Sequence, residues 1–210
     1  TEGLSLAGKT ILITGCNSGL GLEAMRVLAL RGARVIGTAR SVAKAKEAGD
    51  SVTGTTLPLA CELAEPESVR AAVAAVLEQR LTLDAIICNA GIMALPELEL
   101  AHGYEKQFFT NHMGHFLLVT GLLDQLSDDG RVVMLSSAAH QGAPRGGIEL
   151  DNLDGKRGYR GVRAYGQSKL ANILFARSLS KRFAGTKKTA NAVHPGVIAS
   201  DIWRSVPRPL

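Results

Sequence analysis

Residues 10–21 read TILITGCNSGLG, an apolar run that ends in a turn carrying Gly15, Gly19 and Gly21. Thr10-Ile11-Leu12-Ile13 is β-branched or apolar at every position, the pattern of a strand covered on both faces. Glycine is the default residue wherever a backbone must bend sharply, so the three glycines alone fit a plain turn as well as a phosphate-holding loop. The pattern of the chain beyond the loop decides between them.

Further apolar, β-branched runs at 34–38, 55–59, 83–88, 131–136 and 189–194 read as strands, and helical patterns separate them. Helices are expected at 20–30 and 41–48. A third begins at Glu65-Pro66, where proline suits the first helical position and Val69, Ala72, Val73, Val76 and Leu77 form one stripe. A long helix is expected within 105–126 and another over 164–183. Buried strands alternating with helices define an α/β fold: one doubly wound parallel sheet in three layers. No repeat or linker interrupts residues 1–210, which read as a single domain. The glycine loop therefore lies at the first strand-to-helix turn, where the free amides and dipole of a helix N-terminus favour an anion. Its spacing is G-x-x-x-G-x-G.

The bulk composition excludes several classes. With 210 residues, 46% hydrophobic and 20% charged, the chain is globular. The net charge of +5 is spread over mild clusters at 156–163 and 187–188, with few aromatics and no nucleic-acid motif. Cys16, Cys61 and Cys88 are odd in number and irregular in spacing, against a disulfide framework or a zinc site and for a reducing compartment. No apolar run reaches the ~18 residues of a membrane helix. No signal peptide opens the chain, and cytoplasm is the expected location.

Tyr165-Gly166-Gln167-Ser168-Lys169 puts a phenol and an ammonium four apart on one helix face. A tyrosine of pKa ~10 is a poor base at neutrality, and a neighbouring cation stabilises its anion. Ser137, at the end of the fifth long strand, could hydrogen-bond a carbonyl or hydroxyl oxygen. Ligands of open α/β sheets bind beyond the carboxyl ends of the strands, which groups Ser137, Asn89-Ala90-Gly91 and His194-Pro195-Gly196 with the glycine loop. His112 and His115 lack a third ligand and read as packing and capping residues; no metal site is expected. Cys88, with no adjoining basic residue, reads as a small buried side chain.

In order along the chain, TGCNSGLG, CNAG at 88–91, Asn111 in NHMGHF, the serine of MLSSAAH, YGQSK and HPGVIAS resemble the short-chain dehydrogenase/reductase family over nearly the whole length. NHMGHFLL and AYGQSKLANILFA are most like its retinol-dehydrogenase-like branch. The resemblance implies a Rossmann-type fold and hydride transfer between a nicotinamide and the carbon of a small carbonyl or alcohol substrate. It makes Tyr165 the proton donor or acceptor and Lys169 the group that lowers its pKa and holds the ribose. Ser137, the second of the pair Ser136-Ser137, would orient the substrate oxygen, and Asn111 would hold a relay water. It implies cofactor contacts at Gly15, Asn17, Ser18, Gly19, Leu20, Gly21, Asn89, Ala90, Gly91, Pro195, Gly196, Val197 and Ser200. Glu62 and Leu63 would meet the adenine, Glu62 standing where members usually have an aspartate. Assembly as a homodimer or homotetramer through the helix carrying Tyr165 is also implied.

Two features depart from the family pattern. Ser137 and Tyr165 are separated by about twice the usual spacing, and the extra loop is expected to shape the substrate entrance. The chain also stops shortly after Gly196, where members continue, so a longer polypeptide with a substrate-covering segment is expected; Trp203 would contact substrate or pack against that segment. The second strand ends Gly37-Thr38-Ala39-Arg40-Ser41, without the carboxylate that binds a ribose 2′-hydroxyl. Arg40 suits a 2′-phosphate, with Ser41 and Asn17 adding neutral bonds, so NADP(H) is expected over NAD(H). The rival reading is an NADP-sensing or scaffold protein that keeps the fold without turnover.

Overall fold

A computed structural model describes residues 3–196. The chain runs β1 (Thr10–Thr14), α1 (Gly19–Leu30), β2 (Arg34–Ala39), α2 (Val42–Asp50), β3 (Thr55–Ala60), α3 (Pro66–Glu78) and β4 (Leu83–Cys88). Next come a small antiparallel hairpin of β5 (Leu100–Ala101) and β6 (Tyr104–Glu105), then α4 (Lys106–Phe108) and α5 (Gly114–Leu122). The last elements are β7 (Leu126–Leu135), α6 (Gly161–Arg182) and β8 (Thr189–Val193). Six strands form one parallel sheet in the order β3-β2-β1-β4-β7-β8. The chain winds outward one way from β1 and then the other way from β4. That reversal opens a crevice beyond the carboxyl ends of β1 and β4.

Alternation along β1 divides the core in two. Leu12 joins Ile86, Val132 and Met134 against Val69 and Val76 of α3, Leu118 and Leu122 of α5, and Phe175 and Leu179 of α6. Ile11 and Ile13 turn to the opposite face, against Met25 and Ala29 of α1 and Ala48 of α2. Helices thus cover both faces. Among the described residues no helix is long and apolar enough to cross a membrane.

Three details differ from the sequence expectation. The helix expected within 105–126 is interrupted by a π-helical turn, Phe109–Met113, in which the Gly114 amide donates to the Phe109 carbonyl. The fifth long strand starts at Leu126 rather than 131. Leu126 is buried opposite Leu83, and the pairing then shifts so that Ala85 meets Arg131, with the turn-like Ser127-Asp128-Asp129-Gly130 absorbed as an irregularity. The two-residue strands of the hairpin are too short to leave a period in the sequence.

The loop before α6 is tied down by one buried amide. Gln107 Oε1 accepts from the Ala94 amide at 2.6 Å, and its Nε2 donates to the Tyr159 hydroxyl, the Gly161 carbonyl and Glu105 Oε1 at 2.9, 3.1 and 3.1 Å. Glu105 Oε2 in turn accepts from the Phe108 amide at 2.7 Å, and burial pushes its carboxyl above the usual range. Tyr159 donates to the Leu95 carbonyl at 2.9 Å. Gln107→Leu keeps the volume and leaves several of these groups unpaired, so it should lower the unfolding free energy by about 2–5 kcal/mol. Urea denaturation measures this; a loss under about 1 kcal/mol would mean that the amide does not hold the loop.

Candidate active site

Thr14 closes the seam between the two central strands. Its hydroxyl oxygen accepts from the Asn89 and Ala90 amides, both at 3.0 Å, while Asn89 Nδ2 donates to the Thr14 and Gly15 carbonyls at 2.9 and 3.3 Å. The carboxyl ends of β1 and β4 are therefore fixed together. Two glycines make that approach possible. Gly15 has φ +70° and would bring a Cβ to 2.9 Å from Ala90, and a Cβ on Gly21 would run into the Gly15 carbonyl.

The helix after this loop has an open N-terminus. Ser18 is the N-cap of α1 but its side chain makes no capping bond, and the first turn holds no acid. In α2 the Ser41 hydroxyl does cap, accepting from the Lys44 amide at 3.4 Å. Arg40 beside it is exposed and, among the described residues, has no hydrogen-bond or ion-pair partner. Asn17 and Gly19 are exposed at the loop, with Leu20 half-buried. Across the crevice Glu62 is half-buried and its Oε1 accepts from the Ala64 amide at 3.2 Å; Leu63 is buried against α5.

The second group of residues gathers on α6 and the π-helical turn. Asn111 is fully buried: its Oδ1 accepts from the Ile92 amide at 2.8 Å, and its Nδ2 donates to the Ile92 carbonyl and Ser168 Oγ at 2.9 Å. Gly91 leaves room beside it, for a Cβ there would stand 3.1 Å from Asn111 Oδ1 and 3.5 Å from Lys169 Nζ. Lys169 Nζ lies 5.4 Å from the centre of the Tyr165 ring and donates to the Leu135 carbonyl at 3.1 Å. That carbonyl also accepts from Asn172 Nδ2 at 3.0 Å, and Asn172 Oδ1 is 3.2 Å from His112 Nδ1. The two serines at the end of β7 separate cleanly. Ser136 donates to the Lys169 carbonyl at 2.9 Å and is buried, whereas Ser137 accepts from the Ala139 amide at 3.2 Å and lies near enough to the Tyr165 phenol to pull its pKa down.

Burial dominates the titration here. It pushes the Tyr165 phenol above its ordinary value, against a downward pull from Ser137. The lowering by Lys169 inferred from sequence is therefore not the net effect in the chain alone. Burial also pulls the Lys169 ammonium down to about 8. Cys88 has a basic neighbour after all, in Lys169; burial still pushes its thiol up. His112 and His115 do more than pack and cap, because both bond to the groups that hold the site. Histidines on an interrupted helix give no such signal in the sequence. Pro195 and Gly196 come after β8, Gly196 with φ +89°, while Val197, Ser200 and Trp203 lie outside the described residues.

An uncapped helix N-terminus, a glycine cradle that a Cβ would fill and a guanidinium at the end of β2 that is unpaired among the described residues fit a dinucleotide with a pyrophosphate on α1. The comparisons agree with this chemistry. Residues 9–209 match the short chain dehydrogenase family, and the chain belongs to it. It is 42% identical to retinol dehydrogenase 12 of Mus musculus over 98% of its length and 39% identical to retinol dehydrogenase 13 of Homo sapiens over 95%. It spans 66% and 62% of those relatives' own lengths. A crystal structure from Mycobacterium Paratuberculosis, 41% identical, superposes with a TM-score of 0.83 over 92% of this chain and 70% of that one. Another, from Beutenbergia cavernae with bound NADP, is 26% identical with a TM-score of 0.74, over 96% of this chain and 77% of that one.

Lys169 sets a stability test. Its folded pKa of about 8 lies below the ordinary 10.5, so at pH 7 holding the charge in the core costs on the order of 3 kcal/mol. Between those two values the unfolded chain binds a proton that the folded one has released, so this cost fades as pH rises from about 8 to 10.5. Lys169→Met should therefore melt at a higher temperature than the native protein at pH 7 without cofactor, with the advantage shrinking above pH 8. A lower melting temperature at pH 7 would show that the ammonium is stabilised where it lies.

Proposed function

We propose that the protein is an NADP(H)-dependent oxidoreductase that interconverts an alcohol and its carbonyl compound. The observation that carries this reading is the convergence of Tyr165, Ser137, Lys169 and Asn111 on one sheet edge with the open N-terminus of α1. The bound dinucleotide supplies the hydride chemistry at its nicotinamide. The chain's own groups do the rest. Ser137 donates to the substrate oxygen and fixes it beside the phenol. Tyr165 gives that oxygen its proton during reduction and takes it back during oxidation. The Lys169 charge opposes the effect of burial and makes the tyrosinate accessible once the site is filled. Asn111 holds the turn from which a water reaches Lys169. The retinol dehydrogenases among its relatives favour an apolar alcohol or aldehyde, with retinol and retinal first on the panel.

Tyr165→Phe removes only the transferable proton. It should lower kcat by ~10²-fold or more and leave cofactor affinity nearly intact. Near-native turnover in this variant overturns the mechanism. A protein that binds cofactor and turns over nothing on the panel would instead be the sensor or scaffold of this fold.

The cofactor preference rests on Arg40, which has a planar set of donors and no other partner among the described residues. One or two charge-assisted contacts to a 2′-phosphate favour NADP(H) over NAD(H) by about 2–4 kcal/mol. Ser41 accepts the Lys44 amide in capping α2 and keeps its hydroxyl hydrogen to donate to the same phosphate beside the guanidinium. Arg40→Asp replaces attraction by repulsion and should abolish or invert the preference. Titration of both cofactors against both proteins decides it, and equal affinities in the native protein refute it.

A further inference from the structure

His115 is fully buried on α5, outside the crevice, yet both ring nitrogens meet groups that shape it. Nδ1 lies 2.9 Å from the Asn111 carbonyl oxygen, and Nε2 lies 2.8 Å from the Thr14 hydroxyl. The Asn111 carbonyl can only accept, so Nδ1 carries the hydrogen. Burial pulls the ring's pKa down to about 4, with the charge on Lys169 and the neighbouring His112 acting the same way, so the ring is neutral at pH 7. In a neutral ring Nε2 then has a lone pair and no hydrogen. The Thr14 hydroxyl must donate to it. That leaves both lone pairs of the Thr14 oxygen for the Asn89 and Ala90 amides, which occupy them at 3.0 Å each. Every valence is used.

We infer that His115, held as the Nδ1–H tautomer, is a positioning residue that locks the Asn111 turn to the seam between β1 and β4. The opposite tautomer sets a lone pair against the Asn111 carbonyl and a hydrogen against a threonine oxygen with no pair to spare. The lock therefore has one proton arrangement. Through it the two halves of the site keep a common frame. On one side are the Thr14, Asn89 and Ala90 groups beside the glycine loop. On the other, Asn111 bonds Ile92 and Ser168, one residue from Lys169. The functional part of this inference rests on the proposed dinucleotide chemistry; the tautomer does not.

Nitrogen NMR of the full-length protein labelled with ¹⁵N-histidine reads the tautomer directly, His115 being assigned by removing the other four histidines in turn. The expected result is a protonated Nδ1 and a bare Nε2, unchanged from pH 5.5 to 8. Free histidine side chains prefer the opposite tautomer and titrate near ~6.5. A protonated Nε2, or titration within that range, overturns the lock. A second arm reads the consequence. Thr14→Val removes the hydroxyl at nearly constant volume and should weaken NADP(H) binding ~10-fold, while Thr14→Ser, which keeps the hydroxyl, should stay within ~3-fold of native. If Thr14→Val folds and binds within ~2-fold of native, positioning by this lock is refuted. If the native protein binds neither dinucleotide, the proposed function fails and the NMR result alone decides the lock.

Discussion

The Lys169 ammonium is fully buried, and among the described residues its one hydrogen-bond partner is the Leu135 carbonyl. No carboxylate among them faces it within ion-pair distance. A cation in that position is costly unless something else needs it there. The surroundings are arranged to keep it in place. Leu135 ends β7, Asn172 shares its carbonyl, and Ser136 uses its hydroxyl to bond the backbone of Lys169 itself. Gly91 keeps a Cβ away from the ammonium. The ends of β4 and β7 and the middle of α6 are thus built around one charge, and the Tyr165 phenol, on the same helix face, falls into place beside it.

The polar groups away from Lys169 are treated differently. Gln107 meets four partners, and the Thr14 hydroxyl has no unused valence. Such networks specify one arrangement because an unpaired buried group costs more than a made bond returns. Gln107 sets the loop before α6 against the Leu95 region, and Thr14 sets the strand ends. Both act by restricting where the chain can go, and the catalytic groups inherit their positions.

Much of this was legible in the sequence. The run at 10–14, the glycines behind it and the alternation of apolar runs with helical patterns were sufficient for a doubly wound sheet, and the strand ends at 88 and 136 then located Asn89 and Ser137. Tyr165 and Lys169 were readable because a helix repeats with a period near four residues. Other features left no periodic signal. The π-helical turn around Asn111 arises with tertiary bonds to Ile92 and Ser168, which no local pattern records. Leu126 joins the sheet across a polar stretch that reads as a turn, because its burial opposite Leu83 outweighs the local preference. The roles of His112 and His115 depend on partners far off in sequence: His115 meets Thr14 across 101 positions. The net rise of the Tyr165 pKa is likewise a burial effect, invisible to motif spacing.

The contrast between α1 and α2 shows how stability and function are divided. Both helices begin after strands of the same sheet and both have serine at the N-cap. Ser41 bonds its helix; Ser18 does not. A capping bond of this kind contributes about 1 kcal/mol, and α1 forgoes it at the edge of the crevice that opens between β1 and β4. The amides left open there and the buried charge on Lys169 are two costs borne at the same edge. An anion on α1 and a polar group near Lys169 would offset both together. Binding that offsets such costs raises folding stability by mass action, so this edge gains the most from being filled.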